Sequence, residues 1–191
     1  TILITGATGF LGSYIARELV EAGFHLKLLV RNKDSLHAKE RLFEVFPPSV
    51  TSASVYDIMS DRIEIIEGDV SRSYLGLDSS DYFKLANTVN EVFHCVAVGK
   101  FINDGSDVLI QTNVLGTELV ARFCITGKLK RLHYISTAYV AWNRRDTVFE
   151  DELEKGQSFN NNYERSKYYA ERYLSLFARQ HRPPVPSIDP V

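Results

Sequence analysis

Hydrophobic positions fall into short β-rich runs that alternate with longer amphipathic stretches along most of the chain. The short runs predict strands over 1–5, 25–30, 62–66, 91–98 and 131–136, and the amphipathic stretches predict helices over 11–22, 36–46 and 107–126. Parallel strands need helical crossovers, and right-handed crossovers lay the helices on both faces of the sheet. The pattern therefore predicts an α/β fold with a doubly wound parallel sheet.

The first predicted helix sets Leu11, Ile15 and Leu19 on one stripe and ends at Gly23. A stripe of this kind predicts the face that packs on the sheet. Glycine suits the left-handed position just after a helix. The stripe and the glycine together predict both the buried face and the end of this helix.

The chain changes character at His181, where residues 181–191 contain four of the six prolines. Such a run cannot form a helix and makes a poor central strand, although a sixth strand is expected at this point of the fold. We therefore predict a nucleotide-binding domain over 1–180 and an irregular tail over 181–191. Most of the substrate-binding portion is expected to lie outside this sequence.

Composition and charge exclude several classes of partner. The 191 residues are 45% hydrophobic, which allows one sizeable core, and the net charge of −2 mixes both signs along the chain. We expect no nucleic-acid partner and no membrane span, because no apolar run approaches the roughly 20 residues that a bilayer requires. Cys95 and Cys124 lie in apolar segments, which predicts free thiols and a cytoplasmic protein.

Gly6, Gly9 and Gly12 follow the first strand and open the first helix. A turn without Cβ atoms lets backbone amides approach a pyrophosphate, whose charge then lies at the positive end of the helix dipole. This context predicts a dinucleotide site on a Rossmann-type sheet. The alternative is a strand-to-helix turn that merely needs glycine.

The residues after the second and third strands bear on which nucleotide binds. Arg31 and Lys33 stand where an NAD site carries an acidic residue, and a guanidinium there pairs with a 2′-phosphate, which favours NADP. The alternative is an ordinary solvated basic pair. Asp69 is predicted to lie beside the adenine, with a plain turn aspartate as the alternative.

Tyr163 and Lys167 stand four residues apart, on one face of a helix. An ammonium that stabilises a phenolate suits the tyrosine to proton transfer, and a solvated aromatic–lysine pair is the alternative. Ser136 and Thr137, at the end of the last strand, compete to hydrogen-bond a substrate carbonyl or to cap the next turn. Asn113 is predicted to bond the opened backbone of the neighbouring strand, unless it is a surface asparagine.

These residues resemble the extended short-chain dehydrogenase/reductase family. The resemblance rests on the segments 5–12, 68–70, 113–117, 136–137 and 163–167. Residues 75–77, 93–97 and 163–167 look most like its thioester reductase and fatty acyl-CoA reductase branch, which is male sterility-like. The resemblance implies a catalytic triad of Thr137 rather than Ser136, Tyr163 as the acid, and Lys167, which holds the charge state of the tyrosine and the nicotinamide ribose.

The resemblance also implies the cofactor contacts and the reaction. No metal is expected, and the predicted NADP contacts are Gly6, Thr8, Gly9, Phe10, Leu11, Gly12, Arg31, Lys33, Asp69, Val70, Val96, Ala97, Asn113, Tyr163 and Lys167. The expected reaction is hydride transfer from NADPH to an acyl thioester, carried by coenzyme A or a carrier protein, giving an aldehyde or alcohol.

Two alternatives remain open. One is a nucleotide-sugar epimerase or dehydratase, against which Arg31 argues, and the other is a non-catalytic NADP sensor, against which Tyr163 and Lys167 argue. Whether the chain belongs to a larger multidomain protein also stays open.

Overall fold

The computed structural model describes residues 1–32, 36–45, 61–99, 107–127, 131–141 and 143–181, with backbone alone for 43–45. Within these residues, one sheet contains β1 (Ile2–Thr5), β2 (Leu26–Val30), β3 (Ile63–Glu67), β4 (Glu91–His94) and β5 (Arg131–Tyr134). All neighbouring strands pair in parallel, in the order β3-β2-β1-β4-β5. The predicted α/β class and parallel sheet are confirmed.

In the same described ranges, five helices connect or follow these strands: α1 (Phe10–Glu21), α2 (Ala38–Val45), α3 (Ser79–Thr88), α4 (Gly116–Thr126) and α5 (Asn162–Gln180). A π-helical turn, Ile110–Leu115, leads directly into α4. Short 3₁₀ turns cover Ser73–Gly76 and Ala138–Ala141. Of the predicted tail over 181–191, residues 182–191 lie outside the described residues, and the domain boundary at residue 180 stays a prediction.

The side chains of the sheet alternate between two buried layers. Ile2 and Ile4 of β1 pack with Ala16 of α1 and Leu42 of α2, whereas Leu3 belongs to the opposite layer. That opposite layer is closed by side chains of α3, α4 and α5, namely Leu85, Val120, Phe123, Ala170 and Leu174. Helices therefore cover both faces, as the doubly wound arrangement requires.

The buried face of α1 differs from the predicted stripe. Gly12, Ala16 and Val20 are buried, while Leu11 is exposed and Ile15 is half-buried. The prediction is wrong for Leu11, because the closest approach of α1 to the chain before it is made at Gly12, whereas Ile15 and Leu19 pack against the core as partly buried residues. A Cβ at Gly12 would lie 2.2 Å from the carbonyl oxygen of Gly6.

Two strands are shorter than predicted. β4 ends at His94 rather than at residue 98, and β5 ends at Tyr134 rather than at residue 136. Beyond His94 the chain leaves the sheet. The side-chain amide of Asn113 accepts the backbone N–H of Val98 and donates to its carbonyl oxygen. The carboxyl ends of β4 and β5 therefore open into loops where a ligand has access to backbone atoms.

Helix α3 has no counterpart among the predicted elements. Asp78 caps it by accepting the backbone N–H of Asp81 at 2.9 Å, and Tyr82, Leu85 and Ala86 form its buried side. An N-cap aspartate before an amphipathic stretch was the available sequence signal. This helix lies in the connection from β3 to β4, two parallel strands that β2 and β1 separate in the sheet.

Candidate active site

The glycine turn has no room for a Cβ atom at Gly6 or Gly12. Gly6 has φ +81°, and a Cβ there would lie 2.8 Å from backbone atoms of Cys95 and Val96. The turn is closed by the N–H of Gly9, which donates to the carbonyl oxygen of Gly6 at 2.9 Å. The predicted strand–turn–helix arrangement is therefore present, with the turn packed against the end of β4.

The first turn of α1 is free of competing groups. Its N-cap, Gly9, offers no side-chain oxygen, and no acidic residue occurs in the first turn. The leading N–H groups of a helix lack intrahelical partners, so they suit an anion. Phe10 is 84% exposed, and its ring packs edge to face on Tyr14. The backbone of Phe10, and not its side chain, therefore faces the glycine turn.

A cleft of about 220 Å³ runs along the carboxyl ends of the strands. The predicted cofactor residues among its lining are Gly6, Thr8, Gly9, Arg31, Asp69, Val70, Val96 and Ala97. Phe10, Leu11, Gly12, Asn113, Tyr163 and Lys167, also predicted, are not part of that lining, and Lys33 lies outside the described residues. The structure thus gathers about half of the predicted set around one cleft.

Arg41 is a lining residue that the sequence reasoning missed. Its guanidinium donates to the carbonyl oxygen of Arg31 at 2.6 Å and to the hydroxyl of Thr8 at 3.1 Å. It therefore ties the end of β2 to the glycine turn and places a second arginine beside Arg31. The available sequence signal was an arginine on the helix that follows β2, the strand whose end bears on the choice between NAD and NADP.

Asp69 is a turn aspartate that also lines the cleft, and its predicted place beside the adenine stays a prediction. Its Oδ1 accepts the backbone N–H and the hydroxyl of Ser71, which is the arrangement of a turn aspartate. It also lines the cleft. Its backbone N–H donates to the carbonyl oxygen of Leu75 at 2.7 Å, and Leu75 has a left-handed backbone with φ +57°.

The π-helical turn before α4 directs two consecutive side chains inward. Thr112 lines the cleft, and Asn113 is buried and receives the N–H of Val98 at 2.8 Å. The Asn113 amide also donates to the hydroxyl of Ser166, on α5, at 2.9 Å. The predicted bond from Asn113 to the opened backbone is confirmed, and π turns of this kind recur at functional sites.

A buried hydrogen-bond chain runs beneath the cleft. The hydroxyl of Thr117 donates to the carbonyl oxygen of Asn113 at 2.7 Å, so it accepts from Nε2 of His94 at 3.0 Å. Nδ1 of His94 then accepts from the hydroxyl of Thr5 at 2.6 Å. Every polar atom of this imidazole is paired in its neutral form, and burial lowers the pKa of His94 to about 3.

The two candidate hydroxyls after β5 have different partners. Ser136 is buried and donates to the carboxylate of Glu171. Thr137 is half-buried, and its hydroxyl accepts the backbone N–H of Tyr139 at 3.3 Å, which is a turn cap. Burial raises the pKa of Tyr163, and the neighbouring Thr137 hydroxyl partly offsets that rise. Of the two hydroxyls, Thr137 therefore shares a site with the tyrosine.

Lys167 is more deeply buried than Tyr163 on the same helix. Only 2% of the residue is exposed, and Nζ donates to the carbonyl oxygen of Ile135 at 2.5 Å. Burial lowers the pKa of Lys167 to about 7, although the charge of Glu171 acts to raise it. Burial is the larger cause of the Tyr163 pKa shift and Thr137 the smaller, and the expectation that Lys167 lowers that pKa stays a prediction.

Two further statements hold for the described part of the chain. No group of three or more histidine, cysteine, aspartate or glutamate side chains there could hold a metal ion. None of the described helices combines the length and apolar character needed to cross a membrane.

Comparisons with known proteins identify the family. The family model described as "Male sterility protein" matches residues 4–188. A carboxylic acid reductase of Mycobacterium marinum is 32% identical over 189 residues, which cover 91% of this chain and 16% of that protein. An isonitrile lipopeptide synthase of Mycobacterium tuberculosis is 33% identical over 159 residues, which cover 81% of this chain and 6% of that protein.

Solved structures agree with this assignment. The terminal R domain of the myxalamid biosynthetic pathway superposes with a TM-score of 0.83 at 30% identity, covering 96% of this chain and 46% of that chain. A UDP-glucuronic acid 4-epimerase of Bacillus cereus, at 22% identity and a TM-score of 0.71, shares the fold alone; the match covers 96% of this chain and 53% of that chain. This chain thus spans less than half of the R domain and a small fraction of the reductase and the synthase. It belongs to the male sterility protein family, within the reductases of the extended short-chain dehydrogenase/reductase type.

Proposed function

We propose that this chain is the cofactor-binding and proton-donating part of an NADPH-dependent reductase that acts on acyl thioesters. The observation that carries the proposal is the proximity of Thr137, just after β5, to the phenol of Tyr163, whose pKa it lowers, one helical turn from the buried Lys167. The relatives named carboxylic acid reductase and the R domains of peptide synthetases support a thioester substrate. The coenzyme A or carrier-protein form of that substrate is part of the proposal.

The side chains that line the cleft support NADP rather than NAD as the cofactor. Arg31 and Arg41 both line the end near β2, and the residues directly after this strand, Arg31 and Asn32, include no acid. Two guanidinium groups suit a 2′-phosphate, whereas an acidic side chain at this point would suit a free ribose hydroxyl. The turn at Gly6 and Gly12 leaves the backbone bare for the pyrophosphate.

The proposed reaction converts an acyl thioester, NADPH and a proton into an aldehyde, a free thiol and NADP⁺. The bound nicotinamide supplies the hydride that forms the new C–H bond at the carbonyl carbon. Thr137 donates a hydrogen bond to the carbonyl oxygen, and the Tyr163 hydroxyl gives that oxygen its proton as negative charge develops. The carbon–sulfur bond then breaks and the electron pair leaves with the sulfur. The hydroxyl proton of the intermediate returns to the Tyr163 phenolate, and the thiolate takes up a proton from solvent to give the free thiol.

Lys167 has a different part in this proposal. Its ammonium is anchored to the carbonyl oxygen of Ile135, next to the loop that carries Thr137. We assign it to the ribose hydroxyls of the nicotinamide nucleoside and to a fixed positive charge near the developing oxyanion. Asn113 holds the backbone at Val98, which lines the same cleft, so it keeps that wall in place.

The test measures NADPH consumption by the full-length enzyme with an acyl-CoA and with a carrier-bound acyl thioester. We expect one free thiol for each NADPH consumed when reduction stops at the aldehyde, and one for every two when an alcohol forms. Thr137→Val, which keeps the shape of the side chain, should slow the reaction. Tight NADPH binding without consumption of either thioester would favour a sensor instead.

A further inference from the structure

Lys167 is a charged group in an environment that disfavours charge. The residue is 2% exposed, and its one hydrogen bond in the described structure goes to the neutral carbonyl of Ile135. Removing an ammonium from water is costly unless other groups compensate. The groups around Nζ therefore decide whether the lysine carries its charge at neutral pH.

Four ionisable or aromatic groups face Lys167 from the elements packed against it. His94 and Cys95 stand at the end of β4, Tyr134 ends β5, and Glu171 lies one turn further along α5. His94 is neutral, as its hydrogen bonds require, and burial raises the pKa of the Cys95 thiol to about 12. Glu171 is the carboxylic acid of this set: burial raises its pKa, while Ser136 and Lys167 favour its anionic form.

Tyr134 contributes its ring rather than its hydroxyl. Nζ of Lys167 lies 4.1 Å from the ring centroid, within the range of a cation–π contact. The residue is fully buried, and its hydroxyl makes no hydrogen bond of normal geometry to any described residue. A phenylalanine could supply the same ring face without that hydroxyl, so the position offers a matched pair of substitutions.

Glu171 is held in place from the strand side. Its carboxylate accepts the hydroxyl of Ser136, the residue just before Thr137. Glu171 and Lys167 are four residues apart on α5, a spacing that puts them on the same side of the helix. Ser136, which the sequence offered as an alternative to Thr137, therefore orients the Glu171 carboxylate.

We propose that Tyr134 and Glu171 are positioning residues that keep the Lys167 ammonium charged and fixed beside the cleft, with Ser136 orienting the carboxylate. This inference rests on the proposed function for its catalytic meaning, although the arrangement itself can be tested without catalysis. The ring contacts the ammonium directly, and the carboxylate supplies the opposite charge from the next turn of the helix.

The experiment follows the Cε resonance of ¹³C-labelled lysines across pH in the full-length protein, with Lys167 assigned by the Lys167→Arg variant. Glu171→Gln should move the titration of Lys167 down by about 1–3 pH units. Tyr134→Leu should move it down by about one unit, whereas Tyr134→Phe should leave it in place. Glu154→Gln removes an exposed carboxylate paired with Arg172 of the same helix as Lys167, and should change nothing.

The reductase reaction gives a second readout. If the ammonium is required, kcat/KM falls as pH rises through the pKa of Lys167, so Glu171→Gln should move this fall to lower pH and Tyr134→Phe should not. An unchanged Lys167 titration in both Glu171→Gln and Tyr134→Leu would overturn the proposal. A wild-type enzyme without reductase activity would instead defeat the proposed function, and the lysine titration would still decide the arrangement.

Discussion

The two ends of the site are held in shape by different means. At the phosphate end, the backbone of Gly6 and Gly12 is packed so tightly that a single Cβ would collide with it. At the reacting end, buried side chains from β5 and α5 hold one another, as Ser136 holds Glu171. The first end depends on the absence of side chains and the second on their pairing, so substitutions should affect them in different ways.

Removing one hydroxyl at the reacting end should have the largest effect. Tyr163→Phe takes away the proposed proton donor and should lower kcat by roughly 10²–10⁴-fold, the contribution of a positioned acid. NADPH binding should change little, because the substitution leaves the cleft lining intact. Tyr169→Phe, at an exposed tyrosine of the same helix, is the control and should retain full activity. Equal kcat in both variants would remove Tyr163 from the mechanism.

Adding one methyl group at the phosphate end should act on structure first. Gly12→Ala places a Cβ 2.2 Å from the Gly6 carbonyl oxygen and should cost about 1–3 kcal/mol of unfolding free energy, as overpacking does. It should also abolish NADPH binding, because the turn must shift. A Cβ at Gly99 would meet no described atom within 4 Å, so Gly99→Ala should be neutral in urea unfolding and NADPH titration. Unaltered binding by the Gly12 variant would contradict the account of the turn.

Nucleotide selectivity should respond to a smaller change. Arg41→Ala removes a charged donor at the β2 end of the cleft and should raise the KM for NADPH roughly tenfold or more, as expected when a hydrogen bond to a charged group is lost. The KM for NADH should hardly move. Arg17→Ala, which breaks an exposed pair on α1, serves as the control. A parallel loss for both nucleotides would mean that Arg41 only braces the turn.

The pH dependence of stability should show the smallest effect. His94 has a pKa of about 3 when folded and 6.5 in its usual state, so the unfolded chain binds a proton first as pH falls. Stability should therefore decline below pH 6.5, by up to about 1.4 kcal/mol per pH unit from this residue. Urea unfolding between about pH 7.5 and 5 should give a shallower decline in His94→Gln than in wild type. Identical slopes would show that His94 does not titrate in this window.

The same comparison explains how far the sequence could predict the structure. The glycine turn was readable because spacing, a preceding strand and a following helix are all local features. Asn113 was also predictable, since a polar residue in an apolar stretch needs a nearby backbone partner. The surroundings of Lys167 were not, because Tyr134 and Glu171 meet it only after β5 and α5 pack together.

The errors in the predicted elements have the same origin. Leu11 was wrongly predicted to be buried because α1 makes its close approach at Gly12, although Ile15 and Leu19 do pack against the core. β4 was predicted too long because residues 95–98 are apolar, although they line a cleft instead of continuing the sheet. Arg41 was missed because its contact with Arg31 depends on how α2 lies beside the glycine turn.

The most direct test of the central claim is the fate of the hydride. The full-length enzyme is incubated with NADPH carrying two deuterium atoms at C4 of the nicotinamide and with an acyl thioester, and the product is analysed by mass spectrometry. Our account predicts one deuterium at the former carbonyl carbon of the aldehyde, with release of the free thiol. An aldehyde without deuterium, or bound NADPH that is never oxidised in the presence of the thioester, would contradict it.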